Sequence, residues 1–160
     1  VGGPFVLTDH VGMPVTGEDF RGRFLLVHFG FVGSEVCRSG LQAIAAAMDG
    51  LPPELRPHVV PALLTVGDGP AEVGEVRDNV SLYHPRLIGL IGGDAEVAAV
   101  LRSWGIHAGR GRTRGGDGSC RVDHATFTHL IDRAGRCVVD FGYGTTPEEM
   151  ARIILAEVEQ

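Results

Sequence analysis

The residues best suited to chemistry are three cysteines, Cys37, Cys120 and Cys137, and a small set of histidines headed by His124. The cysteines are too far apart for a zinc-ribbon or ferredoxin pattern, and an odd count leaves at least one thiol unpaired. Cys37 falls at the predicted start of a helix. There the positive end of the helix dipole and nearby amide N–H groups favour thiolate, and Arg38 adds a positive charge. That setting predicts a nucleophile or a soft metal ligand, so Cys37 is the candidate catalytic residue and the first candidate metal ligand. The competing assignment is a small buried hydrophobe on the face of Leu41 and Ile44. Ser34-Glu35-Val36-Cys37 has the spacing of a C-x-x-C redox motif with serine in the first place. Serine cannot form a disulfide, but it suits a helix N-cap.

His124 lies just beyond a glycine-rich stretch, at the predicted opening of a strand, where a side chain at a sheet end can meet another loop. Cys120, four residues upstream, could reach Cys37 as a disulfide partner or as an additional soft ligand. His28 sits inside an apolar run and reads as a hydrogen-bonded core or near-site residue. Cys137 lies on a predicted strand and reads as a buried hydrophobe. His10, His58, His84, His107 and His129 carry no spacing signal.

The elements that must position these groups alternate. Phe5 to Asp9, then Gly12, Pro14 and Thr16, predict an N-terminal β-hairpin. The glycine-bounded run of residues 24–29 predicts a central strand. Cys37, Leu41, Ile44 and Met48 lie on one helical face, ended by Gly50, Pro52 and Pro53. Val59 to Val66 predicts a second buried strand, Pro70 to Tyr83 a weaker helix, and Leu87 to Ile91 a third strand. Asp94 is expected to cap a helix striped by Val97, Val100, Leu101 and Trp104 and stopped by Gly105. Ala108 to Ser119, with five glycines and three arginines, predicts a mobile surface loop. A hairpin then follows from Ala125 to Ile131 and Cys137 to Phe141, turning at Gly135. Thr146-Pro147-Glu148-Glu149 is a capping box opening a last helix. Strands alternating with helices predict an α/β domain: a thioredoxin-like mixed sheet with helices on both faces.

With 160 residues, the chain suits one domain, residues 1–160. Hydrophobic residues make up 44%, charged residues 21%, and the formal net charge of −6 argues against nucleic acid as a partner. No run approaches the roughly 20 apolar residues of a membrane span, and no leader pattern is present. A chain that begins at Val1 leaves room for a membrane anchor in a full-length form.

Taken together, the segments resemble the Sco/SenC family. Gly3 to His10 with Pro14-Val15-Thr16 resembles that family's opening hairpin, Phe24 to Phe31 its strand before the active site, and His84 to Leu90 its central stretch. Val122-Asp123-His124, Leu130-Ile131-Asp132 and Gly135 are similar to its histidine motif, and Tyr143 to Glu149 to its closing helix. The resemblance spans nearly the whole chain. It implies a thioredoxin fold, copper as Cu(I) or Cu(II), an extracytoplasmic location facing the periplasm, and a copper-receiving oxidase subunit or another copper or thiol protein as partner. Of the family's C-x-x-x-C pair only Cys37 is retained. Gly33 stands four residues earlier in a loop one residue shorter, Gly67-Asp68-Gly69-Pro70 replaces an acidic stretch, and Cys120 corresponds to a tyrosine. His124 matches the family's histidine ligand.

The leading expectation is therefore a Sco-like metallochaperone, not an enzyme, presenting Cys37 and His124, with Cys120 as an added ligand. A thiol peroxidase or thiol-disulfide oxidoreductase is the enzymatic alternative. Ser34-x-x-Cys37 resembles the T-x-x-C setting of peroxiredoxins, with Cys120 as the resolving thiol. The third alternative is a thioredoxin-like binding module without metal.

Overall fold

The fold is known from a computed structural model that describes residues 5–30, 34–66, 70–108, 120–122 and 126–160. The first strands, β1 (Val6–Asp9) and β2 (Pro14–Thr16), pair antiparallel. Asp9 makes their turn, its Oδ1 accepting the amides of Val11 and Met13 at 3.0 and 2.9 Å. A 3-10 turn at Gly17–Phe20 leads on to β3 (Phe24–Phe29) and then α1 (Glu35–Gly50). Next come β4 (Val59–Val66), α2 (Pro70–Val80), β5 (Ile88–Gly92) and α3 (Asp94–Trp104). The remaining elements are β6 (Ile106–Ala108), β7 (Cys120–Val122), β8 (Thr126–Ile131), β9 (Cys137–Gly142) and α4 (Pro147–Val158).

The main sheet has the order β2-β1-β5-β4-β3-β8-β9. Strands β3, β4 and β5 are parallel, while β1, β8 and β9 run antiparallel to their neighbours. This is the α/β mixed sheet expected from the alternating pattern. Among the described residues no helix is long and apolar enough to cross a membrane.

Because strand side chains alternate in direction, β3 feeds two separate cores. Phe24 and Leu26 pack with Ile44 and Met48 of α1 and Met150 and Ile154 of α4. Leu25 and Val27 face the other way, into a cluster with Leu7, Val100, Trp104 and Cys120. A third cluster joins the start of α1 to α2 and the sheet through Cys37, Leu41, Leu63, Val76 and Val80. Each fully buried Leu or Ile contributes on the order of 2 kcal/mol, so all three clusters hold the sheet between its layers.

Several boundaries differ from expectation. Gly93, not Asp94, occupies the N-cap of α3, and Asp94 is its first residue, where a carboxylate still favours the dipole. Helix α2 ends at Val80 rather than Tyr83. The pairing of β6 with β7, a short parallel ribbon, has no signature in the sequence. Most of the predicted glycine-rich loop, residues 109–119, lies outside the described residues.

Candidate functional site

Cys37 is held by the first turn of α1. Ser34 is the N-cap, as its type suggests, and its Oγ accepts the Cys37 amide at 3.0 Å. The thiol is only 2% exposed and packs with Leu41, Leu63, Val76 and Val80. Burial pushes it up from 9.0 to about 11, the reverse of the expected activation. The physical reason is that loss of water around a thiolate outweighs a helix terminus worth only about 1 kcal/mol. Arg38 does not help, because its guanidinium pairs with the exposed Glu35 at 3.3 Å. A buried thiol that stays protonated at neutral pH lacks the low-pKa thiolate that a peroxidase needs.

The sheet brings His28 beside this thiol. Glycine at position 30, just past β3, leaves open the point between the strand imidazole and the helix thiol. A Cβ placed there would lie 3.0 Å from Cys37 Sγ and 3.2 Å from His28 Cδ2, so the thiol and the imidazole flank one point that glycine leaves open. Gly40, one helical turn after Cys37, opens space in the same way: a Cβ there would overlap the His28 ring. His28 is 2% exposed, and its Nδ1 lies 2.9 Å from Thr128 Oγ1 on β8. Its Nε2 is buried without a hydrogen-bond partner. Desolvation first, and then the charge of His129, lower its pKa from 6.5 to about 4, so the ring is neutral at physiological pH. A cavity of about 220 Å³ adjoins it, lined among others by Gly40, Phe127, Tyr143 and Thr145.

Cys120 is not available to this site. It forms a disulfide with Cys137, with Cα atoms 6.1 Å apart and a sequence separation of 17. The β6–β7 ribbon delivers Cys120 to the start of β9, in the cluster of Trp104 and Val100, while Cys37 belongs to the cluster of α2 on the opposite face. With the sheet between them and its sulfur bonded, Cys120 serves neither as a thiolate ligand nor as a resolving partner of Cys37. Cys137, expected to be a buried hydrophobe, is the other half of that bond. Cys37 is therefore the odd thiol.

His124, like Gly33, lies outside the described residues. What is fixed is the strand that follows it: Thr126 starts β8, and Thr128 pairs across from His28. Sequence spacing left His129 unremarked, yet it is fully buried, lies edge-on to Phe29 with ring centres 5.2 Å apart, and places Nε2 2.9 Å from the Arg121 carbonyl. Its position on alternation within a six-residue strand is the signal that could have found it. His10, also without a spacing signal, accepts the Gly89 amide through Nδ1 at 3.0 Å and fastens β5 to the first turn. Among the described residues no three His, Cys, Asp or Glu side chains converge as a metal cluster.

Comparison with known proteins bears on the same frame. The SCO1/SenC profile matches residues 1–159. The chain is 30% identical to Protein sco1 of Schizosaccharomyces pombe over 96% of its length, covering 59% of that protein. It is 29% identical to human Protein SCO1 homolog, mitochondrial, covering 96% of this chain and 52% of that one. The chain thus spans little more than half of these two relatives. Among solved structures, Arabidopsis thaliana ScoI with copper bound superposes with a TM-score of 0.76 at 29% identity, covering 100% of this chain and 99% of that one. Bradyrhizobium japonicum ScoI with copper bound gives 0.71 at 31% identity, covering 99% and 98%. A thioredoxin domain of a Bacteroides vulgatus thiol-disulfide oxidoreductase shares the fold alone, with a TM-score of 0.64 at 16% identity, covering 99% and 95%. With a family profile matched along nearly its full length, this chain belongs to the SCO1/SenC family.

Proposed function

We propose that this chain is a copper-binding accessory protein acting extracytoplasmically in cytochrome oxidase assembly, with Cys37 and His124 as ligands and a copper-receiving oxidase subunit as partner. The observation that carries this reading is one free thiol at the start of α1, in the fold shared with relatives solved with copper bound. Thiolate and imidazole are the donors that Cu(I) prefers. The donor set fits: a soft sulfur is buried among apolar groups, and a neutral imidazole with an unpartnered nitrogen stands beside it. His124 is four positions from Thr128, a length of chain that spans at most about 14 Å. The Cys120–Cys137 bond supports an oxidising compartment.

Copper binding at Cys37 must release a proton, because the metal takes the thiolate. Metal affinity then supplies the ionisation that burial withholds. The test is an anaerobic Cu(I) titration against a competing chelator, without thiol reductants that would open the disulfide. One copper per chain is expected, abolished in Cys37→Ser and weakened in His124→Ala. Wild-type protein that takes up no copper overturns the reading and leaves a metal-free binding module as its replacement.

A further inference from the structure

We infer that His28, through Nε2, is a further protein ligand to the copper held by Cys37 and His124, making a thiolate–imidazole pair with Cys37 across Gly30. The inference rests on the proposed function and names a donor that family resemblance does not supply.

Three observations converge on it. First, the Cδ2 edge of the His28 ring and the Cys37 sulfur both face the one point left open by Gly30, at 3.2 and 3.0 Å. Nε2 is the ring atom bonded to that carbon. Second, Nε2 is buried and unpartnered, whereas Nδ1 lies 2.9 Å from Thr128 Oγ1. A buried N–H without an acceptor is rarer and costlier than a buried lone pair without a donor. The tautomer that satisfies this has Nδ1–H donating to Thr128 and the Nε2 lone pair free. Metal-bound histidines are commonly oriented in this way, the far nitrogen donating to a neighbour. Third, the space for the ring is built in, because Gly40 of α1 and Gly30 after β3 both lack the Cβ that would invade it.

A single thiolate needs another donor to hold Cu(I). A β3 imidazole compensates from inside the sheet. Copper binding then replaces the Cys37 S–H bond with a metal–sulfur bond, releases that proton to solvent, and leaves the oxidation state of Cu(I) unchanged.

The experiment is anaerobic Cu(I) titration of wild type, His28→Gln and Gly30→Ala, with ¹⁵N-imidazole spectra of wild type before and after copper. Glutamine keeps an amide to bond Thr128, and near-UV circular dichroism reports whether each variant retains its packing. Affinity is expected to fall at least about tenfold in both variants, the scale set by much less direct partners of metal ligands. Gly30→Ala removes no donor and only fills the point between them. In wild type the Nε2 resonance of His28 is expected to shift on copper addition while Nδ1 stays protonated. Wild type that binds copper with an unmoved His28 resonance, or folded His28→Gln of unchanged affinity, overturns this inference and leaves the proposed function standing. Wild type that binds no copper overturns both.

Discussion

The molecule keeps its sulfur on two sides of one sheet, and the sides treat it in opposite ways. On the α1 and α2 side, Cys37 is single, buried and protonated, next to an imidazole with an idle nitrogen. On the α3 side, Cys120 and Cys137 are joined, tying the β6–β7 ribbon to β9. The sequence points to Cys120 as a partner of Cys37 and to Cys137 as a buried hydrophobe, whereas the structure pairs Cys120 with Cys137. The difference teaches that a cysteine's role follows from which face of a strand or helix carries it. Distance along the chain does not set the pairing, since Cys120 bonds Cys137 across 17 positions while Cys37, only 9 from His28, stays a free thiol.

The contrast can be broken first by acid. His28 titrates at about 4 in the folded protein against 6.5 when free, so between these values the unfolded chain binds the extra proton. Its contribution is complete above about pH 6.5 and is lost as pH falls toward 4, a swing on the order of 3 kcal/mol. Urea unfolding of metal-free wild type and His28→Gln across that window is expected to show the steeper loss in wild type. Parallel curves would remove the buried neutral imidazole from the thiol side.

The bonded side is tested by Cys120→Ser with Cys137→Ser. Freeing a 17-residue separation is expected to cost about 3 kcal/mol by chain entropy, read as a lower urea midpoint. A variant as stable as wild type would mean the ribbon is held by packing alone. The thiol side gives the next effect. Against an ordinary thiol at 9.0, one at about 11 carries about 100-fold less thiolate at neutral pH, so iodoacetamide labelling of Cys37 should be slower by at least that factor. Its rate should still be rising at pH 10. Rapid labelling at pH 7 would show that the thiol is activated after all. The smallest effect sharpens the picture locally: Ser34→Ala removes the cap on the Cys37 amide and should cost about 1 kcal/mol, with copper stoichiometry unchanged.

Much of this architecture could be read beforehand. Strand β4 was legible because its β-branched and apolar run is buried along nearly its whole length, and even Pro61 does not interrupt it. Pro61 lies just ahead of the point at which β5 begins to pair, and Arg86 supplies a donor there by bonding the Val59 carbonyl at 3.1 Å. The α4 capping box was legible because it is local chemistry: Glu149 N donates to Thr146 Oγ1 at 3.1 Å and the Thr146 amide returns to Glu149 Oε1 at 3.2 Å. Ser34 and the position of Cys37 were legible for the same reason. The ionisation of Cys37 was not, since a helix start is visible in spacing but the covering by Leu63, Val76 and Val80 is not. Nor was the Cys120–Cys137 bond, because a three-residue parallel ribbon has too few positions to show a period. His28 was placed correctly in the core, with its Thr128 partner unforeseen.

Pairing two sulfurs and leaving a third alone bears on how any later disulfide forms. Within residues 1–160 the other two cysteine sulfurs are bonded to each other, so a disulfide at Cys37 draws on a sulfur from outside this stretch, and with a separate molecule it forms at a rate that depends on that molecule's concentration. A disulfide made at Cys37 therefore also joins the chain to the molecule that supplied the second sulfur.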